Sequence, residues 1–111
     1  VHHGPGASEQ AVLVEVHLGP GELTALRALE DRLRAAIAAA GVGDLDGDEL
    51  SAGGREGTLY AYGADADRLY AVMRPLLEGA PCMQGAVVTL RYGIWHEGMR
   101  ETRFSLGADA G

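Results

Sequence analysis

The sequence predicts one α+β domain, an antiparallel sheet with two helices on one face, in the order strand, helix, strand, strand, helix, strand. Three observations lead there. Apolar residues alternate at period two in Ala11 to Leu18, Gly57 to Gly63 and Ala86 to Tyr92. They recur at helical spacing in two longer segments, and glycine- or proline-rich breaks separate the two periods. A chain of 111 residues suits a single domain with a real core.

In the first strand Val12, Val14, Val16 and Leu18 share one face, and Leu13, Glu15 and His17 the other. Gly19-Pro20-Gly21 ends it. From Glu22, Leu26, Leu29, Leu33, Ala36, Ile37 and Ala40 form an apolar stripe opposite Arg27, Glu30, Asp31 and Arg34, an amphipathic helix of about five turns. Gly41 and Gly43 supply its stop. The acidic run Asp44 to Leu50 has poor strand propensity. It is still expected to be a strand, because Ser51 to Gly57 reads as a hairpin loop, and charges on an edge strand discourage pairing with other chains.

The third strand alternates Leu59 and Ala61 with Thr58, Tyr60 and Tyr62. Asp65 is placed to cap the second helix, with Asp67 in its first turn. Leu69, Val72, Met73, Leu76 and Leu77 form its buried stripe, and Pro75 predicts a kink or an early loosening there. Glu78-Gly79-Ala80-Pro81 closes it. In the fourth strand Val88, Leu90 and Tyr92 oppose Val87, Thr89 and Arg91. Ile94-Trp95-His96-Glu97-Gly98 reads as a turn, and Met99 to Leu106 as a returning strand anchored by Phe104 and Leu106. Residues 1–10 read as a flexible or vector-derived start, 11–106 as the domain and 107–111 as a polar tail.

This order is that of the ferredoxin-like βαββαβ plait, extended by a C-terminal β-hairpin. In that topology the first and third strands are central and the fourth lies beside the first. The helices would cover Val12, Val14, Val16, Leu59, Ala61, Val88 and Leu90. Glu15, His17, Tyr60, Tyr62, Thr89 and Arg91 would lie on the opposite face, the candidate binding surface.

Leu29-Glu30-Asp31, Gly43 to Glu49, Gly57 to Asp67 and Thr89-Leu90-Arg91-Tyr92-Gly93 together resemble small stand-alone uncharacterised bacterial proteins of ferredoxin-like fold. The resemblance spans Val12 to Gly93 and implies the plait. It brings no catalytic motif with it.

Charge and composition narrow the function classes. A formal net charge of -7 repels phosphate backbones, and the nine basic residues are scattered, so nucleic acid is not an expected partner. All nine are Arg, and Lys and Asn are absent, a bias that fits a high-GC bacterial genome. No apolar run approaches the roughly 18 residues of a membrane span. Cys82 is the single cysteine, so no intrachain disulfide forms, and a cytoplasmic location is expected.

The acidic edge Asp44, Asp46, Asp48 and Glu49 suggests calcium, because an EF-hand loop begins with acids at alternate positions. The pattern fails: Glu49 stands where that loop needs glycine, and Arg55 where it needs a bidentate acid. A solvated edge is expected, with no metal. His17 near Glu15 has the makings of a general base, yet lacks a second His or Cys for a metal. Cys82 reads as a structural thiol, and Gly53 to Gly57 as a hairpin turn without the Lys and Ser/Thr of a phosphate loop.

The expected function is therefore a non-enzymatic interaction or regulatory domain, immunity-like in one version, acting through the open sheet face or the acidic edge. Its partner would be another protein or a second copy, with no cofactor. The alternative is a small dimeric ligand-binding protein or enzyme with a pocket around His17.

Overall fold

The computed structural model describes residues 10–93 and 100–107. The predicted turn at Trp95 and His96, the opening residues and most of the tail lie outside them. The described elements are β1 (Gln10–His17), α1 (Glu22–Ala40), β2 (Asp44–Leu50), β3 (Glu56–Gly63), α2 (Ala66–Glu78), a 3-10 turn (Pro81–Met83), β4 (Val87–Arg91) and β5 (Glu101–Ser105). The strands form one five-stranded sheet in the order β2-β3-β1-β4-β5, with every neighbouring pair antiparallel.

The period-two pattern becomes a dry inner face. Val12, Val14, Leu59, Ala61 and Val88 are fully buried against Leu26, Leu29, Leu33 and Ile37 of α1 and Leu69, Met73 and Leu77 of α2. Burying such side chains is the main source of stability, at about 2 kcal/mol each. The β5 anchors work as predicted: Leu106 is buried, and Phe104 packs edge-on against Tyr70 of α2, with ring centroids 5.3 Å apart.

Local signals set the helix ends. Gly41 takes the left-handed conformation at φ 68° and closes α1 through its N–H to Ile37 O. At the start of α2 the Asp65 carboxylate accepts from Arg68 N–H at 3.2 Å. Gln10 Oε1 accepts a second orphan donor, Ala66 N–H, at 2.8 Å, which ties the start of β1 to α2. α2 runs through Pro75 and closes at Glu78, where the sequence places its end.

Gly43 and Gly63 do more than end elements. A Cβ on Gly43 would lie 2.1 Å from Tyr62 O, and one on Gly63 would lie 2.3 Å from Val42 O. The backbones entering β2 and leaving β3 therefore approach at a distance that only glycine allows.

β2 departs from the predicted solvated edge. Its pairing with β3 shifts between Leu45 and Gly47, so Leu45 faces Ala61 and Asp48 faces Leu59, both on the inner side. One bulge residue reverses the alternation that follows it. Asp48 thus turns under α1 with its side chain only 8% exposed, while Asp44, Asp46 and Glu49 remain exposed. Glu30 is a second correction. Placed on the polar side of α1 by its spacing, it is 6% exposed because Asp48 and Arg27 close over it.

Candidate functional site

Among the described residues, no helix packs on the sheet face opposite α1 and α2, although Ala11 and Thr89 on it are buried by neighbouring side chains. Alternation and register bring Ala11, Leu13, Glu15 and His17 of β1 onto it, beside Glu56, Thr58, Tyr60 and Tyr62 of β3 and Val87, Thr89 and Arg91 of β4. β5 adds Glu101, Arg103 and Ser105. All six predicted face residues are therefore on one side of the sheet, but they do not converge. His17 stands opposite Glu56, whereas Tyr60 stands opposite Leu13 and Tyr62 opposite Ala11. At about 3.3 Å per residue, His17 is some 13 Å along the strand from the Leu13–Tyr60 row and farther from Arg91.

The polar groups on this face are tied in local pairs. Arg103 reaches Glu15 at 3.4 Å and donates to Thr89 Oγ1 at 3.2 Å, which leaves Thr89 buried and not available as an exposed contact. Arg91 meets Glu101 at 3.3 Å. Tyr60 donates its hydroxyl to Glu49 Oε1 at 2.9 Å; that bond, and then burial, raise the phenol above its ordinary pKa and keep it protonated. Between the pairs, Leu13, Tyr60, Tyr62 and Val87 form a half-buried apolar strip.

His17 occupies a different environment. It borders a shallow concavity of about 350 Å³ with Glu15, Glu49, Ser51, Glu56 and Thr58. Its side chain is 83% exposed and Nδ1 lies 3.6 Å from Glu56 Oε2, beyond hydrogen-bonding distance. A second concavity of about 400 Å³ runs along the β2 side between Asp46, Glu49, Tyr60 and Tyr62. No group of three or more His, Cys, Asp or Glu arranged to hold a metal occurs among the described residues. Cys82 is buried, and burial pushes its thiol above the usual value, so it is a packing residue.

Arg103 and Glu101 were missed, although an inward Phe104 already puts positions 101, 103 and 105 on the outward face. Glu49 was also missed as the partner of Tyr60. That pair spans two strands whose register depends on the bulge.

Fold and surface together define a small α+β domain with one sheet face left open by its helices. Among solved structures the chain is similar to that of Rv0793 from Mycobacterium tuberculosis, with 19% identity, a TM-score of 0.61 and coverage of 82% of this chain and 100% of that one. The likeness is one of fold. No protein-family model and no curated protein sequence matches the chain. Among the described residues no helix is long and apolar enough to cross a membrane.

Proposed function

We propose that the domain is a ferredoxin-like plait with one added edge strand, and that it acts without catalysis as a cytoplasmic interaction module whose open sheet face docks on a second copy of itself. The neighbour order β2-β3-β1-β4 supports the plait, with β5 added beside β4. A lone buried thiol suits a reducing compartment.

The observation that carries the docking reading is the charge division across the face. Asp44, Glu49 and Glu56 lie on the β2–β3 side, and Arg91 and Arg103 on the β4–β5 side, where Glu101 is the acid present. β1 is the middle strand, so a two-fold axis along it would stack β1 on β1, lay Arg91 of each copy over Tyr62 of the other, and set Arg103 over Gly47 between Asp44 and Glu49, with Asp44 over Glu101 as the one like-charge row. Leu13 would meet Leu13 at the centre, and Tyr60 and Tyr62 would face the Arg91 guanidinium, a favourable cation–π geometry. Two twisted sheets packing face to face align in this way.

Light scattering behind size exclusion tests the reading. The expected mass is twice the 11.6 kDa of the chain, falling to the monomer mass in Leu13→Asp. A charge reversal, Arg103→Glu, should also dissociate the pair, and Glu49→Arg added to it should restore association. A wild-type chain that stays monomeric at millimolar concentration rules the pairing out.

The concavity beside His17 supports a second reading, a small cationic ligand held by Glu15, Glu49 and Glu56. Its histidine is solvated and lacks a hydrogen-bonded carboxylate, which leaves general-base chemistry without an orienting partner.

A further inference from the structure

The joint between α1 and β2 holds a buried carboxyl pair that the docking face does not involve. The bulge at Asp46 turns Asp48 inward beneath α1, where it pairs with Arg27 Nη1. Glu30 sits one helical turn from Arg27 with Oε2 3.7 Å from the same guanidinium nitrogen. The side chains of Glu30 and Asp48 are 7% and 8% exposed. Arg27 is thus one close cation for two buried acids. As a carboxylate, Glu30 Oε2 has this long ion pair but no hydrogen-bond donor, and a buried charged oxygen without a hydrogen bond is costly. A proton on Glu30 lowers that cost: both acids lie against the same Arg27 nitrogen, which puts the Asp48 carboxylate beside Glu30 as an acceptor for its hydroxyl.

β2 has little else to hold it. Among the described residues it is an edge strand with β3 as its single neighbour, rich in acids with poor strand propensity, and its apolar anchors are Leu45 and the half-buried Leu50. We propose that the Glu30–Asp48 contact is a proton-operated clasp: protonated, it holds the bulged edge strand against α1, and on losing the proton it lets the strand loosen. The inference stands apart from the docking reading, since the clasp lies on the opposite side of the sheet.

The groups that act on Glu30 are Asp48 from β2 and Arg27 and Arg34 from α1; β3 contributes the apolar Leu59 opposite Asp48. Burial and then Asp48 raise the Glu30 carboxyl from 4.5 to about 7, against the opposing pull of the two arginines. Because the folded value lies above the unfolded one, the stabilisation is fully present below 4.5 and is lost as pH rises to about 7.

Hydrogen exchange by mass spectrometry on the intact chain, corrected for the intrinsic pH dependence of exchange, reads the clasp directly. Between about pH 5.5 and about pH 8.5, β2 amides should lose roughly tenfold or more of their protection while β1 and β4 keep theirs. Glu30→Gln, whose amide donates to Asp48 at every pH, should hold β2 protected throughout. Unchanged wild-type β2 protection, or the same loss in Glu30→Gln, overturns the proposal. Should that variant not fold, a carbon NMR titration of the wild-type Glu30 carboxyl decides. A midpoint near neutrality supports the clasp, and one in the ordinary carboxylate range overturns it.

Discussion

The two faces of the sheet use the same strands to opposite ends. On the inner face Val12, Val14, Leu59, Ala61 and Val88 are fully buried under two helices, with Asp48 as the acid turned in among them. On the outer face Leu13, Tyr60, Tyr62 and Val87 remain half-buried, and Glu15–Arg103, Arg91–Glu101 and Tyr60–Glu49 tie up the polar groups between them. The inner face holds the fold together. The outer face combines apolar area with charges already organised in space, which is what a docking surface needs without lowering the stability of the free chain.

The comparison predicts where substitutions will act on stability and where they will not. The largest losses belong to the inner side. Leu33→Ala or Leu59→Ala should cost about 3 kcal/mol in denaturant unfolding, since both side chains are fully buried. Gly63→Ala should cost about as much, on the order of 3 kcal/mol, because the clash at 2.3 Å is with backbone oxygen and cannot be relieved by a rotamer change. Leu13→Ala on the outer face should cost under about 1 kcal/mol by the same measurement, made at chain concentrations low enough that the pair is dissociated. An equal loss at Leu13 and Leu33 would erase the distinction between the faces.

Smaller effects sharpen it. Raising the pH from 4.5 to about 7 should remove on the order of 1–3 kcal/mol of stability through Glu30, and Glu30→Gln should flatten that dependence. Denaturant midpoints across the pH range read both. The smallest expected change is at the capped end of α2, where Asp65→Ala should cost about 1 kcal/mol and leave association untouched.

The inner face was legible in the sequence because alternation and helical spacing depend only on near neighbours in the chain. The strand and helix order, most of the two buried stripes (Val72 and Leu76 are half-buried and Ala40 exposed), the Asp65 cap and the hairpin between β2 and β3 all follow from such local patterns. What failed was non-local. The spacing of Glu30 around α1 marks it as polar, and its burial depends on Asp48, far along the chain, which closes over it together with Arg27. Asp48 itself was misplaced because one bulge residue reverses a strand, though Gly47, a lone glycine inside the strand and at φ 136°, was the available clue. The candidate site shows the same limit. Alternation put Glu15, His17, Tyr60, Tyr62, Thr89 and Arg91 on one face, but register decides distance along it, and register separates His17 from the tyrosines.

The division of labour between the faces rests on the outer one meeting a partner. The most direct test is the solution mass of the wild-type chain beside that of Leu13→Asp, with thermal unfolding recorded for both. Twice the 11.6 kDa chain mass is expected for the wild type, and a folded monomer for the variant. A wild-type monomer at every concentration reached, or a variant that still pairs, would contradict it.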